Sequence, residues 1–403
     1  MSYRLCVRAC GAGPEAFSWP DFYQQFSSWL LPYLALLSQL PFGAESRLSN
    51  LTSIFLTVGS PVLAAYSLAL TVLNSRWITR RFRGIDYPNA AHAAAILRNL
   101  QAAPVRISYK DGLLPSLIVL HNNDEWWQEL STGLVHSTTW SAAAVASMGW
   151  VVIAYVLTIV DSFENIPSDS NSSSPSTFRV LGILDLFGKG IGFLWLWLVP
   201  VVYGWLQISP LCDANRLRRL FRRVDSHAYV ATSDGVPSPV NTVSTLRGLT
   251  IRFHPDYASP MGPAHAALED AELCAPIFNY ARLFPWSAAV EEVASGFTWA
   301  AARAKAHTPP TGRADPMVKW EFAADSSVDS RNRTGSAEDV LWYCGTPPSS
   351  YGSPQWTQRA MLGIFKRMML ASVAALSLQW GTTGAAVLVV YFAPTSVSVS
   401  CCE

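Results

Sequence analysis

The sequence is poor in charge and lacks the patterns of several functional classes. Only 14% of its 403 residues are charged, half are hydrophobic, and the mean hydropathy is +0.21. This composition points away from an ordinary soluble protein. The seven cysteines show no CxxC spacing, which argues against a zinc site and a dense disulfide framework. The N-terminal stretch MSYRLCVRACGAGPEAFSW has no apolar run of signal-peptide length, so we expect membrane insertion to begin at the first hydrophobic segment.

Catalytic signatures are missing as well. No histidine lies in an HExxH or HxxEH pattern, no serine lies in GxSxG, and no Walker or DxD pattern is present. The stretch FGKGIG around Lys189 lacks the spacing of a phosphate loop and precedes a hydrophobic segment instead of following a strand. We therefore expect no catalytic residue, cofactor or metal site.

Long hydrophobic segments are the main feature that is present. A membrane-spanning helix needs about 20 apolar residues, and five charge-free windows reach this length: Phe22–Ala44, Leu48–Ser75, Ser137–Val160, Gly190–Leu211 and Met368–Thr395. The first is interrupted by glutamines and prolines, which leaves an interfacial or re-entrant segment as its alternative. The sequence thus predicts an α-helical integral membrane protein of about five spans with a small cytoplasmic α+β insertion.

Basic residues indicate the orientation, because Lys and Arg are retained on the cytoplasmic side. Most of the 29 basic residues lie before the first span and in the two long loops. The predicted organisation is a cytoplasmic segment 1–21, spans 1 and 2 in 22–75, a cytoplasmic loop 76–136, spans 3 and 4 in 137–211 with an outer loop 161–178, a cytoplasmic α+β segment 212–307, a flexible Pro/Ser/Gly-rich linker 308–358, span 5 in 364–395 and an atypical tail 396–403.

The cytoplasmic loops contain recognisable local patterns. Apolar periodicity predicts helices at Pro88–Gln101 and Pro285–His307, and a further helix at Ala264–Cys274. DEWWQELSTGLV is predicted to be a helix because its acids lie at the favourable N-terminal end. VRISY, a KDG turn and LLPSLIVL suggest a β-hairpin, and HAYVAT and LTIRFH are strand-like.

Polar residues near the spans suggest two candidate sites. Asp185 and Lys189 are four residues apart and share a helix face, either as an intramembrane functional pair or as partners among the head groups, which we favour. Gln379, Thr382 and Thr383 form a polar patch in the last span. One interpretation is that these side chains contact a substrate. The other, which we favour, is that they form hydrogen bonds between helices, beside close packing at the small residues Ser377, Gly381 and Ala385.

An arginine-rich segment and two sequons complete the list. RLRRLFRR places Leu217, Leu220, Phe221 and Val224 on one helical face, typical of an interfacial helix on anionic lipid; a topology signal without lipid specificity is an equal alternative. The lipid-contacting candidates are Arg216, Arg218, Arg219, Arg222 and Arg223. Asn171 in NSS is a glycosylation candidate in the predicted outer loop, whereas Asn332 in NRT falls on the cytoplasmic side and is interpreted as a coincidence.

Several long strings resemble a family of uncharacterised multi-span membrane proteins of fungi. They are FSWPDFYQQFSSWLLPYLALLSQLPFG, LTVGSPVLAAYSLALTVLNSRWITRRF, APIFNYARLFPW and LQWGTTGAAVLVVYFAPT. The resemblance implies an integral membrane protein of a eukaryote but no reaction, substrate or catalytic residue. Relatives continue beyond the last string, so SVSVSCCE is expected to be a shortened end, and Cys401 and Cys402 receive no role.

Three functional hypotheses follow. The leading one is a non-enzymatic scaffold or sensor with a cytoplasmic domain, because the aqueous segments exceed the membrane portion and the spans hold few ionisable groups. A transporter or channel for a small solute is the alternative, and a membrane-bound enzyme is third. The expected partners are the lipid bilayer, with anionic lipids on its cytoplasmic face, and no nucleic acid. The plasma membrane and an endomembrane are both open as locations.

Overall fold

A computed structural model describes most of the chain between residues 31 and 384. The described residues are 31–42, 47–103, 105–107, 113–135, 142, 144–153, 197–208, 214–239, 249–251, 274–313, 320–322, 328–345 and 358–384, with isolated residues between 19 and 30. The chain divides into a first unit, Met1–Leu40, Trp140–Leu206 and Ala375–Glu403, and a second unit, Pro41–Thr139 and Gln207–Ala374.

The described residues are mostly helical. The helices are α1 (Leu31–Leu37), α2 (Arg47–Gly59), α3 (Val62–Phe82), α4 (Ala90–Asn99), α5 (Leu113–Val119), α6 (Asp124–Val135), α7 (Ala144–Ile153), α8 (Leu198–Ile208), α9 (Ala214–Asp225), α10 (Leu283–Lys305), α11 (Ala337–Tyr343) and α12 (Gln358–Gln379). The strands are β1 (Val105–Ile107), β2 (Tyr229–Ala231), β3 (Pro237–Pro239) and β4 (Leu249–Ile251). They form two small antiparallel pairs, β1 with β4 and β2 with β3.

Five membrane spans are not supported. Among the described residues one helix is long and apolar enough to cross a membrane, Ala360–Gln379, with a second candidate only if α2 and α3 are counted as one broken span. The predicted second span is interrupted because α2 ends at Gly59 and α3 begins after Pro61, with a bend of 106° between them. Proline cannot donate the backbone hydrogen bond that would continue the helix.

The other predicted spans are described only in part. Helix α1 has 7 residues, α7 is described from Ala144 to Ile153, and α8 has 11 residues, of which the last two belong to the second unit. The remainder of these windows lies largely outside the described residues. The helix at the predicted fifth span, α12, begins at Gln358, earlier than that prediction, and passes into a π-helical turn at Trp380–Gly384.

Helix α10 lies at the centre of the second unit's core. Its residues Val290, Val293 and Phe297 are fully buried, and the Phe297 ring contacts the rings of Phe82, Tyr87 and Trp127. Close packing is possible because Gly296 has no side chain; an added Cβ would lie 2.8 Å from the Ile118 side chain. The predicted helices α4, α6 and α10 are all present, and together with α3, α5 and α9 they bury one continuous apolar cluster.

The predicted β-hairpin is wrong. LLPSLIV forms helix α5, in which every residue is buried, and β1 pairs instead with the distant strand β4. A segment that is apolar on all sides carries no periodicity, so the sequence cannot distinguish a buried strand from a buried helix. The strands predicted at HAYVAT and LTIRFH are present as β2 and β4, whereas the helix predicted at 264–274 lies mainly outside the described residues.

The flexible linker prediction is wrong for residues 328–345. Ser336 and Asp339 form a capping box that begins α11, and Val340 and Tyr343 are fully buried. The Asn332 side chain donates a hydrogen bond to the Glu321 carbonyl (2.6 Å) and accepts one from the Glu321 amide (2.9 Å). This buried asparagine has no room for a glycan in the fold, in agreement with the interpretation of its sequon as a coincidence. The remaining parts of 314–357 are largely outside the described residues.

Candidate anion-binding pocket

A cavity of about 640 Å³ lies within the second unit, where α3 and α4 end near the segment Pro276–Arg282. Four arginines line it, and the remaining lining residues are small, apolar or neutral polar. The lining residues are Thr71, Val72, Ser75, Arg76, Thr79, Arg80, Arg83, Arg98, Asn99, Gln101, Ala102, Gln207, Ile208, Pro276 and Asn279. We refer to this cavity as the arginine pocket.

Three of the arginines form a row on α3. Arg76 and Arg80 are four residues apart and therefore share one helix face, about 6 Å apart along the axis. Arg83 follows at the C-terminal cap of the same helix. The fourth, Arg98, belongs to the last turn of α4, so two helix ends bring their basic residues to one cavity.

These four guanidinium groups have no acidic partner among the described residues. All four side chains are exposed, and the described ion pairs involve other residues. Arg81, on another face of α3, pairs with Glu291 at 2.8 Å. A basic residue near a helix C-terminus is favoured by the helix dipole, by about 0.3–1 kcal/mol. That effect applies to the arginines at the helix ends but not to Arg76, and it does not explain why all four lie at one cavity without an acid.

Buried amides line the inner part of the pocket. Gln101 is 4% exposed; its Nε2 is 3.1 Å from the Arg98 carbonyl, and its Oε1 accepts a hydrogen bond from Asn74 at 3.0 Å. Asn279, also 4% exposed, donates from Nδ2 to the Thr71 hydroxyl at 2.6 Å. The Oδ1 atom of Asn279 has no hydrogen-bond partner, although buried polar atoms are normally paired.

The hydroxyl groups of the pocket are already engaged. Thr71, Ser75 and Thr79 each donate to the backbone carbonyl four residues earlier on α3, at 2.8, 2.8 and 2.9 Å. The described lining contains no carboxylate, imidazole or thiol, so it offers no general base near an activated nucleophile. The arrangement is suited to binding an anion through charge and hydrogen bonds.

The residues predicted for an intramembrane site are described only in part. Gln379 lies at the end of α12 and is partly exposed, and Thr383 follows in the π-helical turn. The Thr382 side chain, the pair Asp185 and Lys189, and the sequon at Asn171 lie outside the described residues. The transporter hypothesis therefore stays a prediction.

The arginine-rich segment forms helix α9, as predicted, but its apolar face is covered by protein. Leu217, Phe221 and Val224 are buried in the core of the second unit, and α9 packs against α6. An interfacial helix needs that face for lipid, so lipid insertion of α9 is incompatible with this packing. Arg219, Arg222 and Arg223 are exposed, and Arg223 pairs with Glu129 at 2.7 Å; the side chains of Arg216 and Arg218 are not described.

The pocket arginines were interpreted from the sequence only as an orientation signal. The spacing of Arg76, Arg80 and Arg83 along one helix was visible and is the one signal that pointed to a shared face. Nothing in the sequence indicated that Arg98 and Asn279 would join them. Comparison of the chain with family models, with curated proteins and with solved structures finds no match in any of the three.

Proposed function

We propose that the protein is a non-enzymatic membrane protein, a scaffold or sensor, whose second unit binds an anionic ligand in the arginine pocket. The observation that carries this proposal is that four arginines without an acidic partner among the described residues line one cavity. Membership of the fungal multi-span family, a location in the plasma membrane or an endomembrane, and a cytoplasmic position of the arginine pocket belong to the same proposal. The distribution of basic residues along the sequence supports that orientation.

Helix α12 supports the membrane part of the proposal. Its apolar window is only 22% buried, whereas a core helix of a water-soluble protein is mostly buried. Large apolar side chains are exposed along the part of the helix in the second unit: Met361, Leu362, Phe365, Met369, Leu370 and Val373. A contiguous exposed apolar surface marks a membrane or protein contact, and lipid is the partner that a helix of this length and hydropathy accommodates.

Electrostatics supports the anion-binding part. Four positive charges that face one cavity repel one another, and no described carboxylate offsets this repulsion. An anion in the cavity removes the repulsion and forms charge-assisted hydrogen bonds, which are shorter and stronger than neutral ones. The bound state is therefore more stable than the empty one whenever a suitable anion is present.

Two measurements on the full chain test the proposal. Alkaline carbonate extraction of membranes should leave the protein in the pellet; recovery in the supernatant would contradict the membrane assignment. In detergent, pyrophosphate should raise the thermal unfolding midpoint relative to chloride at equal ionic strength.

A matched pair of variants locates the anion effect. Arg80→Gln removes a pocket charge, whereas Arg222→Gln removes an exposed charge on α9, outside the pocket. The increase in midpoint should shrink in the first variant and persist in the second. Equal responses of both variants would show non-specific screening, and absence of any response in the wild type would refute the anion-binding function.

A further inference from the structure

We propose that helix α2 inserts its apolar face into one leaflet of the bilayer and does not cross the membrane. This lipid contact is additional to the span proposed for α12. It rests on the membrane part of the proposed function and is independent of the arginine pocket. The observations behind it are the burial pattern of α2, the hydrogen bonds of its hydroxyl groups and the bend that follows the helix.

The burial pattern of α2 is the reverse of that of a helix in water. A helix on the surface of a water-soluble protein buries its apolar stripe and exposes its polar face. In α2 the buried residues are Ser53 and Thr57, and Phe55 is 69% exposed whereas Thr57 is 2% exposed. The exposed large apolar side chains are Leu48, Leu51, Ile54, Phe55, Leu56 and Val58. Small polar residues directed inward and apolar residues directed outward are the arrangement of a helix that borders lipid.

The exposed apolar face of α2 is too broad for one protein neighbour. Successive residues of an α-helix lie about 100° apart around its axis. The exposed apolar side chains therefore occupy an arc of about 200°, with Ile54 and Leu56 at its edges. A helix that packs on protein needs a stripe of only about 100°. Acyl chains surround a broader arc than a second copy of this chain covers, so lipid is the occupant that fits this face.

The hydroxyl groups of α2 are satisfied within the helix. Thr52, Ser53 and Thr57 each donate to the backbone carbonyl four residues earlier, at 2.9, 2.7 and 2.7 Å. Water would satisfy such groups on a soluble surface, whereas the hydrocarbon of a bilayer offers no hydrogen-bond partner. The bond of Thr52 matters most, because this residue is exposed within the apolar arc. The arc is therefore compatible with lipid along its whole length.

The length of α2 and the bend after it exclude a crossing. Its 13 residues extend over about 20 Å, and a span needs about 30 Å. Helix α3 continues at a bend of 106°, and it is not long and apolar enough to cross alone. When α2 lies along the membrane surface, this bend leads α3 away from the bilayer towards its own arginines. Arg47, the one charged residue of α2, is exposed at its start, where a long side chain reaches the head groups.

Photocrosslinking in native membranes tests the lipid contact. The photoreactive analogue p-benzoylphenylalanine replaces one phenylalanine at a time in the full chain, a conservative change of an exposed ring. The positions are Phe55 in α2, Phe365 in α12, and Phe322, which lies outside both helices and is 73% exposed. Mass spectrometry then identifies lipid and protein adducts. We expect lipid adducts at Phe55 and Phe365, and loss of the adduct at Phe322.

The three positions separate this inference from the proposed function. Lipid adducts at Phe365 without any at Phe55 would overturn the inference and leave the membrane assignment standing. Absence of lipid adducts at both positions would contradict both. Capture of a second copy of the chain at Phe55, instead of lipid, would show that α2 is a dimer contact. Equal lipid adducts at Phe55 and Phe322 would show unspecific contact and would also overturn the inference.

Labelling of sealed microsomes tests whether the chain crosses between the two ends of the helix pair. An azide-bearing residue replaces Arg47, at the start of α2, or Asp86, which is exposed beyond the end of α3. A membrane-impermeant alkyne dye is added before and after permeabilisation. Both positions should react under the same condition, because α2 enters and leaves one leaflet. Reaction of one position before permeabilisation and of the other only afterwards would establish a crossing and overturn the inference.

Discussion

Replacement of Arg333 by methionine should destabilise the second unit more than any exposed arginine variant. The Arg333 side chain is only 3% exposed and donates two hydrogen bonds to the Asp124 carboxylate, at 2.7 and 2.6 Å. Its Nε donates to the carbonyl of Val119 at 3.1 Å, at the end of helix α5. One side chain thus connects the 328–345 segment to α5 and to the start of α6.

The expected magnitude follows from what the replacement leaves unpaired. The Val119 carbonyl belongs to a fully buried residue, and loss of its donor costs about 1–3 kcal/mol. The Asp124 side chain is 46% exposed, so water replaces much of the lost ion pair, and we add only about 1 kcal/mol for it. Methionine keeps most of the apolar contacts. The sum is about 3 kcal/mol, or a decrease of about 6–12 °C in unfolding midpoint.

The assay is thermal unfolding of the full chain in detergent, followed by the fluorescence of the buried tryptophans Trp126 and Trp127. The matched control is Arg331→Met. Arg331 pairs with Asp329 and Glu321, but its side chain is 65% exposed, so its replacement should leave the midpoint unchanged within error. Equal midpoints for the Arg333 and Arg331 variants would refute the structural role of the buried arginine.

Two further predictions concern the same unit. Gly345→Ala should be more destabilising than Gly84→Ala in the same thermal assay. Both glycines have a positive φ (85° and 86°), but only at Gly345 would a new Cβ lie 2.7 Å from the Trp299 ring. An equal decrease in unfolding midpoint for the two variants would contradict that ring contact. Burial raises the pKa of the Cys344 thiol well above its ordinary value of 9.0, so peptide mapping after iodoacetamide treatment at pH 8 should find Cys344 unmodified in the folded chain and modified after denaturation. Above about pH 9 the Cys344 thiol ionises in the unfolded chain but stays protonated in the folded chain, because its folded-state pKa is raised. Ionisation therefore favours the unfolded chain as the pH rises, and the unfolding midpoint should fall between pH 9 and 10.

Local sequence patterns predicted the elements that local interactions determine. Helix α4 shows its apolar face in Ala93, Ile96 and Leu97, which are all buried, and α6 begins with Asp124 and Glu125 at its positive end. Such signals depend on neighbours within one or two helical turns. They were therefore readable without knowledge of the fold.

The errors arise where distant contacts override local composition. Residues 328–345 are rich in polar and small residues, yet they are ordered against the core because Arg333 finds Asp124, 209 positions away in the sequence. The predicted second span is equally misleading. Its apolar length suggested lipid, but Ala65 and Leu70 of α3 are buried against protein together with the polar side chains of Thr71 and Asn74. Hydropathy measures the preference for a non-aqueous environment and does not distinguish a bilayer from a protein core.

The sequence by itself determined the apolar character of the chain, the positions of its amphipathic helices and the clustering of arginines at the end of α3, because composition and helical spacing are local properties. Only the tertiary structure decided which apolar segments pack against protein, which strand pairs with β1, and which arginines face a shared cavity. The physical reason is that Arg98 and Asn279 reach Arg76 and Arg80 through the packing of separate elements, and no local pattern encodes that approach.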